Sequence, residues 1–152
     1  MGKDALIRSA TELSPPPPEA VAEFDAKHEA LAAELTERMF ARADVDQLIG
    51  ENNRDMMANN SRNFFRFMDS IFHHYDPAVF VQTVHWVFRT YRQHGFQVLY
   101  WPAHIDTAVE IMRRELSPAT FSAIHPFFDW LLNNIPAFTD DSDEEMRGAS
   151  AK

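Results

Sequence analysis

With 152 residues, 45% of them hydrophobic, the chain is long enough for one domain with a real core and too short for two comfortable ones. Its 23 acidic residues outnumber 14 basic ones, and a net charge of −9 repels phosphate backbones and anionic headgroups, which excludes nucleic acid and membrane surfaces as expected partners. The absence of cysteine excludes disulfides, thiolate metal sites, cysteine nucleophiles and thioether-linked chromophores.

In chain order, residues 1–18 read as a flexible, proline-rich N-terminal segment, closed by the stiff spacer Ser14 to Pro18. Nothing there has the apolar core of a signal peptide and no run approaches a membrane span, so a cytoplasmic location is expected. Residues 19–41 place Phe24, His28, Leu31, Leu35 and Met39 on one helix face. A second stripe runs through Leu48, Asn52, Met56, Asn60, Phe64, Phe67 and Ile71; it drifts, which predicts a break near Met57 to Ser61. Asp76 is the N-cap of a third helix with Pro77 in its first turn, Phe80, Val84, Val87 and Tyr91 inward, and Gly95 as the left-handed stop. Pro102 opens a helix with Ile105, Val109, Met112 and Leu116 on one side and a Glu110–Arg114 pair on the other. Ser117-Pro118 repeats the cap-then-proline signal and starts the last, with Phe121, Ile124, Phe128 and Leu131 inward and a bend at Pro126. Residues 139–152 read as an acidic disordered tail.

The chemistry-bearing residues offer few sharp signals. Among seven histidines no helical ligand spacing occurs. His73 and His74 are adjacent and therefore point about 100° apart on a helix, so only one can join Asp69; surface or cap histidines are the reading taken. Asn60 and Asn52 fall on an apolar stripe, where a buried amide must cap a helix or meet a polar ligand group, and capping is the reading taken. Arg62 and Arg66, one turn apart, are a pair suited to ligand carboxylates. Tyr91, Phe96, Tyr100 and Trp101 gather at one interhelical corner, able to line a planar ligand or to fill the core. No acid–base pair supports an enzyme.

Over residues 19–138 the order of these features resembles a globin. The stretch YWPAHIDTAVEIMRRELSPATFSAIHPFFDWLLNNI is similar to the last two globin helices with the Ser-Pro turn of bacterial globins, and TYRQHGFQVLYW resembles the proximal segment. Counting back by the haem-globin spacing from Phe96 and from Trp101 ends on Tyr91 both times, so the resemblance puts tyrosine, not histidine, in the iron-ligand position. That points to the haem-less branches: the sensor globins of stressosome regulators and sporulation-inhibitory proteins, and the phycobiliproteins with the globins associated with bilin biosynthesis. HYDPAVFVQTVHWVFRTYRQHGF is similar to the phycobiliprotein stretch that ends in a tyrosine, three residues and a glycine. Against the phycobiliprotein Cys-x-Arg-Asp, NSRN keeps at Arg62 the arginine that contacts a bilin propionate. Asn60 stands for the attachment cysteine and Asn63 for the aspartate that binds pyrrole nitrogens, which excludes covalent bilin attachment.

The expectation is an all-α, globin-like helical sandwich of about six to seven helices: 1–18 flexible, 19–138 globin-like, 139–152 tail. The resemblance implies a non-enzymatic, haem-less protein that works by binding and self-association, as a homodimer through its last two helices. It holds no obligate cofactor, and a bilin or other apolar ligand would sit noncovalently beside Asn60, Arg62, Asn63, Arg66, Tyr91 and Trp101. The alternatives are a haem globin with His94 or a distal residue such as His73 as axial ligand, and a regulatory sensor globin of the stressosome type.

Overall fold

A computed structural model describes residues 2–150, with side chains as far as Arg147. Among these residues the fold is entirely helical, with eight helices where six to seven were expected: α1 (Lys3–Ala10), α2 (Pro18–Phe40), α3 (Val45–Ile49), α4 (Arg54–His73), α5 (Pro77–Gln93), α6 (Tyr100–Glu115), α7 (Pro118–Asn133) and α8 (Ile135–Ser150). The long α2 is the central element, packed against α4, α6 and α7, while α6 lies on α7 and α5 on α8. Its stripe is buried as its period requires, with Phe24, Leu31, Leu35 and Met39 inside. Phe24 meets Phe72 edge-on at 5.0 Å, and Phe72 meets Phe127 likewise at 5.1 Å, so much of the core consists of interlocked rings.

Both terminal segments differ from their compositional reading. Residues 3–10 form α1, which packs on α5 with Leu6 and Ala10 fully buried. One turn apart, those two make a stripe too short to register as a period. It is fixed by tertiary bonds: Trp130 Nε1 donates to Ser9 Oγ at 3.0 Å, and the Tyr75 hydroxyl to the Ala10 carbonyl at 2.6 Å. Only the proline run up to Pro17 is the spacer that was expected. At the other end α8 continues almost directly from α7, burying Ile135, Ala137, Phe138 and Ser142. The expected acidic tail is thus helix from residue 139 to 150; residues 151 and 152 lie outside the described residues.

The expected break at Met57 to Ser61 is absent, and α4 runs through it. The drifting stripe comes from two helices in succession, separated at residues 50–53 by Gly50 (φ 85°) and Asn52 (φ 63°). Neither asparagine caps: Asn52 sits in this left-handed turn and Asn60 is inside α4. Gly50 is required twice over. Its φ is left-handed, and a Cβ there would lie 3.0 Å from the carbonyl oxygen of Gly95. The α3–α4 turn is thereby pressed onto the α5–α6 turn. Asn53 Nδ2 joins the two, donating to the Ile49 and His94 carbonyls at 2.7 Å each, and the Gln97 amide donates to the Leu48 carbonyl at 2.7 Å.

The cap signals are realised. Asp76 accepts from the amides of Ala78 and Val79, Ser117 accepts from Thr120, and Gly95 has φ 104° just past the end of α5. α6 begins two residues before Pro102, which occupies its first turn, where a missing N–H costs no helical bond. The Glu110–Arg114 pair is not made. Arg114 bonds to Glu34 of α2 and to Glu115, and Glu110 to Arg38, because α2 lies alongside and offers cross-helix partners.

Candidate functional site

A cavity of about 210 Å³ lies between α4, α5 and α6 and is closed at one end by the α7–α8 junction. α4 contributes Asn60, Asn63, Phe64 and Phe67, residues spaced three and four apart that share one face. Opposite them α5 presents Val84, Val87, Phe88 and Tyr91 by the same spacing, with Thr83 and Trp86 at the rim. Trp101, His104 and Ile105 of α6 form the floor, and Leu131, Ile135 and Phe138 complete the wall. Trp86 is 56% exposed and Asn63 is exposed, which sets the mouth between α4 and α5.

The walls are apolar and aromatic. Tyr91 stacks on Phe96 and on Trp101, with centroids 5.0 and 5.9 Å apart, and burial pushes its phenol up from the ordinary value. Tyr100, fully buried behind Trp101, is also pushed up by burial, and its hydroxyl accepts from Asn60 Nδ2 at 2.7 Å. Burial pushes His104 down to about 3, so its imidazole is neutral at physiological pH. The Nε2 of His104 lies 3.2 Å from Ser61 Oγ. Its Nδ1, like Trp101 Nε1, is buried and has no hydrogen-bond partner among the described residues. A buried polar atom left unpaired costs about 1–3 kcal/mol, which makes these two ring nitrogens the chemically unsettled points of an otherwise greasy site.

Of the residues nominated from sequence, Asn60, Asn63, Tyr91 and Trp101 line the cavity together. Arg62 and Arg66 do not: both are exposed on α4, and Arg62 is bonded to Asn59. His94 is exposed at the end of α5, its carbonyl taken by Asn53, and does not face the cavity. His73 is exposed at the last turn of α4, also outside the lining. The histidine that does line it, His104, was missed. It stands four residues after Tyr100 and four before Ala108, on the stripe that α6 actually buries. Reading that stripe from Trp101 instead of from Ile105 would have found it. The large exposed apolar side chains among the described residues are Val79, Trp86 and Leu99, on α5 and just before α6. No helix of the described residues is long and apolar enough to cross a membrane.

Comparison of the chain with protein-family models, with curated proteins and with solved structures finds no match in any of the three.

Proposed function

We propose that this chain is a non-enzymatic, haem-less, globin-like binding protein whose cavity takes a small, largely apolar ligand carrying one neutral polar group. The observation that carries the reading is the cavity itself: about 210 Å³, walled by aliphatic and aromatic side chains, with the orphaned nitrogens of Trp101 and His104 in its lining residues. An engineered apolar cavity of about 150 Å³ takes benzene, whereas drug-sized ligands occupy about 300–1,000 Å³. The volume therefore favours a one- or two-ring molecule over an intact bilin or haem. An indole N–H and a neutral imidazole suit a hydroxyl or carbonyl group, and neither compensates a buried charge.

Two further points support the haem-less, globin-like form. Tyr91, the residue counted into the iron-ligand position, lies in the cavity wall, and His94 does not. The cavity also gathers Asn60 and Asn63 of α4 with Tyr91 of α5, residues that the resemblance places at a tetrapyrrole. Self-association through the last helices finds less support, since the large exposed apolar residues lie on α5 and just before α6.

The experiment is a calorimetric titration with phenol and indole as probes, with haemin and biliverdin, followed by their visible absorption, as comparisons. The expected result is saturable binding of the small probes that is lost in Val84→Trp, which fills the cavity, with neither pigment bound stoichiometrically. A Soret band with haemin that disappears in His104→Ala or Tyr91→Phe overturns the reading.

A further inference from the structure

We propose that Asp25, Asp69 and His73 form a site for a divalent first-row transition metal, zinc in the first instance, that ties α2 to α4. Their ligating atoms lie within 4.8 Å of one another, Asp25 from α2 and the other two from adjacent turns of α4. Zinc bonds of about 2.0–2.2 Å put tetrahedral ligand atoms roughly 3.5 Å apart, so closure needs a contraction of about 1 Å. Asp25 and His73 are exposed and have room to make it by side-chain rotation.

Three features beyond the spacing point to a cation. Asp69 Oδ1 is buried without a hydrogen-bond partner. A carboxylate largely withdrawn from water and set against a second one, Asp25, is a costly arrangement, and the pair is short of positive charge. His73 also has a ring nitrogen to offer. Its Nδ1 lies 2.8 Å from the Asp69 carbonyl; with the proton donated there, Nε2 keeps its lone pair for a metal, the outer bond that metal-binding histidines use. His28 repeats the device on α2, Nδ1 lying 2.7 Å from the Asp25 carbonyl.

The donor set chooses the metal class. One imidazole with two carboxylates suits zinc and its first-row neighbours, while magnesium and calcium take oxygen ligands almost alone. Three protein ligands leave a fourth position for water or for His28. Of the adjacent histidines only His73 takes part; His74 is the C-cap of α4 and is not in the group.

Zinc titration of the full chain by calorimetry at pH 7.5, with calcium in excess, tests the site. The expected result is one equivalent bound, an affinity at least about tenfold weaker in Asp69→Asn and in His73→Gln, and no change in His74→Gln. Binding should weaken as pH falls, because metal and protons compete for the same ligand atoms, and zinc should raise the melting temperature of the wild type and not of His73→Gln. His73 is exposed, so that variant keeps the fold even if Asp69→Asn does not. Absence of saturable zinc binding at millimolar metal, displacement by calcium, or binding that survives His73→Gln overturns the proposal.

Discussion

The Nε2 of His85 on α5 lies 2.8 Å from one carboxylate oxygen of Glu145 on α8, and Arg89 Nη1 lies 2.6 Å from the other. A turn further along α5, Arg92 Nη1 reaches Asp143 and Ser142 Oγ, each at 2.6 Å. Acidic side chains that compose a solvated tail when read alone are here the rungs of a seam between two helices. Burial alone would raise Glu145; the bonds from His85 and Arg89 outweigh it and hold the carboxyl below its ordinary value. The seam matters to the cavity because α8 supplies Ile135 and Phe138 to its wall.

Arg92→Ala should therefore loosen a cavity wall from a distance. Arg92 is 18% exposed, and its charge-assisted bonds are worth more than a surface pair, so a loss of about 1–3 kcal/mol is expected in urea unfolding. Amide exchange should separate this from a general weakening: protection falls first along residues 140–147, while α2 and α4 keep theirs. Uniform loss across all helices would mean that α8 is not an independently released element.

How much of this was legible in the sequence depended on whether the signal was local. The caps at Asp76 and Ser117 and the stop at Gly95 are short-range chemistry and were read correctly. The corner of Tyr91, Phe96, Tyr100 and Trp101 was also legible, since each residue lies within one turn of the α5–α6 connection. What failed was long-range. Leu6 and Ala10 form a helix because α5 and Trp130 wait to cover them, and Glu145 and Asp143 are ordered because cations on α5 face them. Asn60 looked like a cap because its partner, the Tyr100 hydroxyl, stands on another helix.

That Asn60–Tyr100 bond gives a second prediction. Both groups are buried, so Tyr100→Phe leaves the Asn60 amide without its partner and should cost about 1–3 kcal/mol. Asn60→Leu also strips the Tyr100 hydroxyl, but the double variant removes both polar groups and should recover part of the sum. A double-mutant cycle by chemical denaturation measures the coupling. Strict additivity of the two losses would show that the bond contributes nothing to stability.

His104 gives the third, through pH. In the folded chain its imidazole is pushed down to about 3 by burial, whereas in the unfolded chain it titrates near 6.5. Below 6.5 the unfolded state takes up a proton that the folded state refuses. The stabilisation is complete above 6.5 and drains away as pH falls towards 3, by up to about 1.4 kcal/mol per pH unit. Other carboxyls act in the acid range too, Glu145 among them. Glu23, held at about 2 chiefly by the Lys27 bond, loses its contribution only below its ordinary 4.5. Asp69, raised to about 6, works the other way, gaining a proton in the folded state first and so stabilising the fold as pH falls below 6. The raw slope is thus a composite, and the difference between wild type and His104→Gln isolates the histidine. Glutamine keeps a donor and an acceptor for Ser61 and carries no titratable proton. Denaturation free energies measured from pH 7.5 to 4.5 should show the wild type losing ground steadily against His104→Gln below about pH 6. Parallel curves would mean that the imidazole is protonated in the folded chain as readily as in the unfolded one. The cavity floor would then be wet and tolerant of charge, and the case for a neutral, apolar ligand would fall with it.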